Sequence, residues 1–208
     1  QNQNEPHKAI SMYSKALVNN PSYLDPYKSL GIFYFHRKGD PHSALSYYKK
    51  FLFLNPSDVE MHSDFGLVLD TCEHKDDAIT QYHKTLSLNR ERAESYYNLG
   101  NAQNYFENDE YAAILNYRKA IALKPELCEA YLNLGAILRQ RKKFKKAKSC
   151  YNQSIILKPN EYVDAHNDLG LVLVELEEME SAEAAYKTAI AIDPDSAKAH
   201  YNLGSLLS

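Results

Sequence analysis

The chain has 208 residues and carries 24 Lys and Arg against 27 Asp and Glu, for a formal net charge of −3. That balance excludes a general nucleic-acid or anionic-membrane surface, and no apolar run reaches the roughly 20 residues of a membrane span. Three cysteines (Cys72, Cys128 and Cys150) are odd in number and lack C-x-x-C spacing. They predict small buried or half-buried thiols in a reducing compartment, the cytoplasm first and the nucleus second, rather than a disulfide or metal framework. The polar start Gln1-Asn2-Gln3-Asn4 has no signal-peptide pattern and reads as a cut edge.

Glycine punctuates the chain at Gly31, Gly66, Gly100, Gly135, Gly170 and Gly204, in steps of 35, 34, 35, 35 and 34 residues. Self-similarity at that spacing marks a stacked helical repeat. Residues 1–23 supply only a second helix, with Ala9, Tyr13 and Ala16 before Pro21. Residues 24–58 carry Tyr27, Leu30 and Gly31, then Ala44, Tyr48 and Pro56. Their second helix is entered through Asp40-Pro41, an N-cap followed by proline at the first helical position. Residues 59–92 carry His62, Phe65 and Gly66, then Ala78 and Tyr82, with Arg90 in place of the closing proline. A longer or less sharply ended helix is expected there.

Residues 93–127 are the clearest copy. Tyr96, Leu99 and Gly100 recur at i, i+3 and i+4, which is one face of an amphipathic helix. After the polar turn Glu107-Asn108-Asp109, a second apolar face runs through Ala113, Tyr117 and Ala120 and ends at Pro125. Residues 128–162 (Tyr131, Leu134, Gly135, Ala147, Tyr151, Pro159) and 163–196 (His166, Leu169, Gly170, Ala182, Tyr186, Ala189, Pro194) repeat the design. Residues 197–208 are a first helix alone, with His200, Leu203 and Gly204. The prediction is one all-α array over residues 1–208, five full helix pairs between two half units.

Glycine inside a helix costs about 1 kcal/mol relative to alanine, so six at one place need a reason. Close packing supplies one. The glycine of the first helix and the alanine of the second let the pair approach, and the tyrosine (Tyr13, Tyr48, Tyr82, Tyr117, Tyr151, Tyr186) is expected to fill the groove between units.

These residues resemble the tetratricopeptide repeat, whose pattern runs Trp-x2-Leu-Gly-x2-Tyr, then Ala-x3-Phe-x2-Ala-x4-Pro. The resemblance covers essentially the whole chain, although Trp is absent and Phe51, Thr85 and Ser154 replace the later alanine. It implies a right-handed α-α superhelix whose first helices line a concave groove, and a protein that binds other proteins and is not an enzyme. Counting each unit from the residue seven before its glycine, positions 2, 5, 6, 9, 12 and 13 oppose the packed face and are expected to line that groove. Position 6 reads Ser29, Asp64, Asn98, Asn133, Asp168 and Asn202. Short amides suit an extended peptide, because they donate and accept at once. The series is similar to the asparagine ladder of O-linked N-acetylglucosamine transferases, so a substrate-recruiting arm of a larger enzyme of that kind is the alternative reading. The candidate contact residues are Lys28, Asp64, Tyr97, Asn98, Asn101, Tyr105, Asn133, Arg139, Asp168 and Asn202.

The Hsp70/Hsp90-binding members hold a peptide's terminal carboxylates with Lys, Asn, Asn, Lys and Arg. Here Asn101 and Asn133 fit, but Tyr97 replaces the first Lys, and Asp164 and Asp168 stand for the last two cations. Those signs repel a C-terminal carboxylate, so a chaperone tail is excluded. Position 2 is acidic in five units (Asp25, Glu60, Glu94, Glu129, Asp164), which fits both a neutral or basic peptide and the preference for carboxylates at helix N-termini. The basic run Arg139–Lys148 suggests a nucleic-acid patch when taken alone. One unit on, however, Lys142, Lys143, Lys145 and Lys148 align with Glu177, Glu178, Glu180 and Glu183; one unit back, Lys142 and Lys145 align with Glu107 and Glu110. Ion pairing between units is the simpler expectation. No phosphate loop, zinc spacing or nucleophile motif occurs, so no cofactor or metal is expected, and His62, His166 and His200 are read as packed, hydrogen-bonded side chains. Head-to-tail self-association through the two half units is a further expectation.

Overall fold

A computed structural model describes residues 4–106, 108–159 and 161–208. Among them are twelve α-helices and no strand. They are α1 (Asn4–Asn19), α2 (Leu24–Ile32), α3 (Pro41–Leu54), α4 (Val59–Thr71), α5 (Lys75–Leu88), α6 (Ala93–Tyr105), α7 (Glu110–Leu123), α8 (Cys128–Gln140), α9 (Phe144–Leu157), α10 (Val163–Glu175), α11 (Met179–Ile192) and α12 (Ala197–Leu207). The all-α helical-repeat architecture expected from the glycine period is therefore present. The chain falls into two compact units, Gln1–Ala102 and Gln103–Ser208, each described by itself below.

In the first unit, Tyr27, Ala44, Tyr48, Phe51, Leu52, Met61 and Val68 form the core of α2, α3 and α4. The second unit buries Tyr117, Tyr151 and Tyr186 with Cys128, Ile137 and Val172. The tyrosines do more than fill a groove between helix pairs. Four of them lie against the glycine of their own pair: a Cβ added to Gly31, Gly66 or Gly135 would stand 3.0, 2.6 or 3.0 Å from the ring of Tyr48, Tyr82 or Tyr151. Gly170 meets Tyr186 in the same way. At Gly66 and Gly170 the approach is closer than real Cβ atoms show, so a larger residue forces the ring to shift, whereas at Gly31 and Gly135 the ring need give only slightly. Gly204, on α12, has nothing within 4 Å.

A second device joins one pair to the next. In four first helices the Tyr or His in the first turn bonds the carbonyl of the preceding proline. Tyr27 Oη donates to Pro21 O at 3.0 Å, and the Nε2 atoms of His62, His166 and His200 lie 2.9 Å from the carbonyls of Pro56, Pro159 and Pro194. His62 also meets the Gln81 side chain through Nδ1 at 2.7 Å. His62 and His166 are buried pins, as expected, whereas His200 is hydrogen-bonded but exposed on the last helix.

Three first helices end alike. The N–H of His74, Lys143 and Glu178 returns to the carbonyl of Leu69, Leu138 and Leu173 at 2.9, 2.8 and 2.9 Å. The residue before each is left-handed: Glu73 at φ 61°, Lys142 at φ 55° and Glu177 at φ 61°. This is the Schellman ending, which satisfies the last carbonyls but favours glycine at the left-handed place. The spacing from glycine to alanine is one residue longer in residues 24–58 and 93–127. There the bond spans one residue more, from Asp40 to Tyr34 and from Asp109 to Gln103, both at 2.9 Å. In the first case the surplus residue is taken up by a π-helical segment, Phe33–Arg37. Gly39 and Asn108 hold the left-handed place in these two turns. Asp40 and Asp109 then cap α3 and α7 by accepting from Ser43 N–H and from Tyr111 and Ala112 N–H.

The expectation of a longer or frayed helix near Arg90 is corrected. α5 has 14 residues, as do α3, α7, α9 and α11. Asn89 is extended at its end, and its Oδ1 accepts from Glu91 N–H at 2.9 Å. This Asx turn, repeated at Asn20 and Asp193, turns the chain without needing proline.

Candidate functional site

In the first unit, Lys28 on α2 and Asp64 on α4 share an electrostatic neighbourhood. Lys28 Nζ bonds Glu60 Oε2 at 2.5 Å. The pair stabilises both charges, raising the Lys28 pKa and lowering that of Glu60. Asp64 is half-buried, and burial pushes its carboxyl up, with Glu60 adding to the effect and Arg92, His36 and Lys28 opposing it. Arg92, immediately before α6, also keeps a buried Nε–H with no acceptor among the described residues. Tyr97, Asn98 and Asn101 are half-buried on α6. Position 5 is less open than the sequence suggested. Ser63 on α4 is 6% exposed, with its Oγ 3.4 Å from Ser95 Oγ on α6.

In the second unit, Tyr105 is 69% exposed at the end of α6, and Asn133 is half-buried on α8. Arg139, Asp168 and Asn202 come together. Tyr151 Oη donates to Asp168 Oδ2 at 3.2 Å, so the tyrosine that packs on Gly135 also reaches the next first helix. Burial raises the Asp168 carboxyl, and the Arg139 charge pulls against it. Arg139 and Asn202 line a cavity of about 570 Å³ with Leu171, Val174, Met179 and Leu206. The Nε–H of Arg139 is buried without an acceptor among the described residues. Asn202 Nδ2 donates to Asn167 Oδ1 at 2.7 Å. Asn167 is 3% exposed. One residue before a rung of the ladder, it is spent between α10 and α12, not in a groove.

Sequence reasoning missed Arg92, Asn167 and the apolar cavity wall. Arg92 and Asn167 carry no motif. Only the leucine and valine at positions 9 and 12 of residues 163–196 gave a signal, as apolar side chains on a face expected to be polar.

The acidic stripe is largely compensated. Besides the Lys28–Glu60 pair, Glu129 accepts from Tyr162 Oη at 2.7 Å and lies 3.5 Å from Lys158 Nζ, while Asp164 lies 3.3 Å from Lys198 Nζ. Burial opposes ionisation of Glu129, but the Tyr162 hydrogen bond and the Lys158 charge outweigh it and lower its pKa. The Tyr162 hydroxyl is pushed up to about 12, by burial first and then by Glu129.

The basic run does pair between helices, with other partners than those predicted. Lys148 binds both oxygens of Glu178, at 2.8 and 2.6 Å, and Arg141 lies 3.8 Å from Glu110. Glu183, the expected partner of Lys148, is held by Lys187 on its own helix at 2.6 Å. The pairing of Lys142 with Glu107 lies outside the described residues. Side-chain reach explains the shift, because alignment by unit ignores which turn of the neighbouring helix a lysine touches.

All three cysteines are free, and burial pushes the Cys150 thiol up to about 11, away from a nucleophilic thiolate. No group of three or more His, Cys, Asp or Glu residues among the described residues could hold a metal ion. No helix among them is long and apolar enough to cross a membrane.

The tetratricopeptide repeat model matches residues 93–127 and again 128–161, and a TPR repeat model matches residues 170–208. No curated protein matches the chain. Among solved structures, MamA is 30% identical, with 83% of this chain and 92% of that chain covered at a TM-score of 0.70. A second MamA structure is 31% identical, covering 77% of this chain and 93% of that one at a TM-score of 0.69. YrrB, described as a TPR protein with an unusual peptide-binding site, is 24% identical over 91% of this chain and 96% of its own, at a TM-score of 0.73. With three repeat matches, a likeness spanning nearly all of MamA and glycine–tyrosine packing in four helix pairs, the chain belongs to the tetratricopeptide repeat family.

Proposed function

We propose that the chain is a scaffold that holds an extended segment of a partner protein against the first helices of a unit, α2, α4 and α6 in one and α8, α10 and α12 in the other. The observation that carries this reading is the amide and carboxylate ladder at Ser29, Asp64, Asn98, Asn133, Asp168 and Asn202. An amide already engaged once, as Asn202 is with Asn167, still has donor and acceptor capacity for a peptide backbone. Lys28, Tyr97, Asn101, Tyr105 and Arg139 complete the contact set.

The segment is neutral or basic. Asp64 and Asp168 each keep a carboxylate beside the ladder, whereas Glu60, Glu129 and Asp164 are partly satisfied within the chain. The same carboxylates disfavour the terminal carboxylate of a chaperone tail.

The test is affinity capture with the whole chain, repeated with Asn98→Ala combined with Asn133→Ala. Each lost hydrogen bond is worth about 0.5–1.5 kcal/mol, so capture falls several-fold while the melting temperature holds. Equal capture by the double variant would remove the ladder from the account.

A further inference from the structure

The cavity in the second unit is bordered by exposed side chains, and its walls describe an occupant. Its volume, about 570 Å³, lies within the range of roughly 300–1,000 Å³ typical of ligand sites. Leu171, Val174, Met179 and Leu206 make one apolar wall. None of these four is fully buried, and Met179 is 47% exposed.

The charges around the cavity cancel. Arg139 and Lys142 are offset by Glu175 on its lining and by Asp168, which faces Arg139. A charged occupant would therefore meet like charge as well as opposite, and a neutral one loses least by desolvation. Tyr151 and Asp168 both act on the Arg139 guanidinium.

We propose that this cavity anchors one large apolar side chain (Leu, Ile, Met or Phe) from an uncharged stretch of the bound segment. The proposal rests on the scaffold reading above and adds where the segment is gripped and by what chemistry.

A random heptapeptide phage library panned on the whole 208-residue chain tests this. Enriched peptides are synthesised and their affinities measured by fluorescence anisotropy. Enriched sequences are expected to share one large apolar residue without charged neighbours. Replacing that residue by Ala should weaken binding about ten-fold, as expected for an anchor side chain. Ser205→Trp, placed at an exposed position on the cavity lining, should produce the same loss. The peptide's Ala substitution should then cost little more in that variant. Circular dichroism confirms that the Ser205→Trp variant is folded.

Peptides that bind Ser205→Trp as tightly as the native chain would overturn the anchor and leave the scaffold reading standing. A charged residue enriched at the shared position would also overturn it. Failure to enrich any peptide would count against both readings.

Discussion

Gly66 lies under the ring of Tyr82 so closely that a single added methyl would stand 2.6 Å from Cε1. Tyr82 is fully buried and has no room to withdraw. Gly66→Ala is therefore expected to lower stability by about 1–3 kcal/mol through overpacking, despite the better helix propensity of alanine. Gly204 provides the control. Its added methyl meets nothing, so Gly204→Ala should raise stability by up to about 1 kcal/mol from propensity alone. Thermal melts of the two variants must move in opposite directions.

The left-handed turn residues make a second prediction. Lys142 holds φ 55° after α8 with a side chain that disfavours this conformation. Lys142→Gly should stabilise the chain by about 1 kcal/mol, because an L-residue in this region costs roughly 1–2 kcal/mol. The same change at Gly39's neighbour Lys38, where φ is −91°, should destabilise. A melting temperature for Lys142→Gly at or below that of the native chain would contradict the assignment.

Asp168 yields a pH dependence. Burial raises its pKa in the folded chain, so folding favours the protonated carboxyl. The favourable contribution is complete below the unfolded-state pKa and is lost as the pH rises through the folded value. Asp168→Asn keeps an acceptor for the Tyr151 hydroxyl and matches Asn98, Asn133 and Asn202 on the other first helices. The variant should gain stability at pH 7 relative to the native chain, and the gain should shrink as the pH falls towards the ordinary aspartate range. A gain independent of pH would assign the effect to something other than ionisation.

The repeat was legible in the residues because a six-fold glycine period leaves few architectures open, and the packed faces follow from helical spacing. Three things were not. The tyrosine's seat on glycine needs the depth of the interhelical groove, which spacing alone does not contain. The end of α5 was set by Asn89, a turn former that proline-based reading overlooked. The π-helical segment Phe33–Arg37 answers one surplus residue whose location shows only when glycine-to-alanine distances are compared between units. At the candidate site, the ladder positions follow from helical spacing, but their internal bonds do not. Asn167 and Tyr151 reach the ladder from neighbouring helices, and nothing in a single unit's pattern announces them.

The central claim, that the first helices receive the partner, is tested most directly by hydrogen exchange with and without a selected heptapeptide. The account predicts that exchange slows in α6, α8, α10 and α12, while α7, α9 and α11 remain unchanged. Slowing confined to α7, α9 and α11 would place the partner on the opposite face and contradict it.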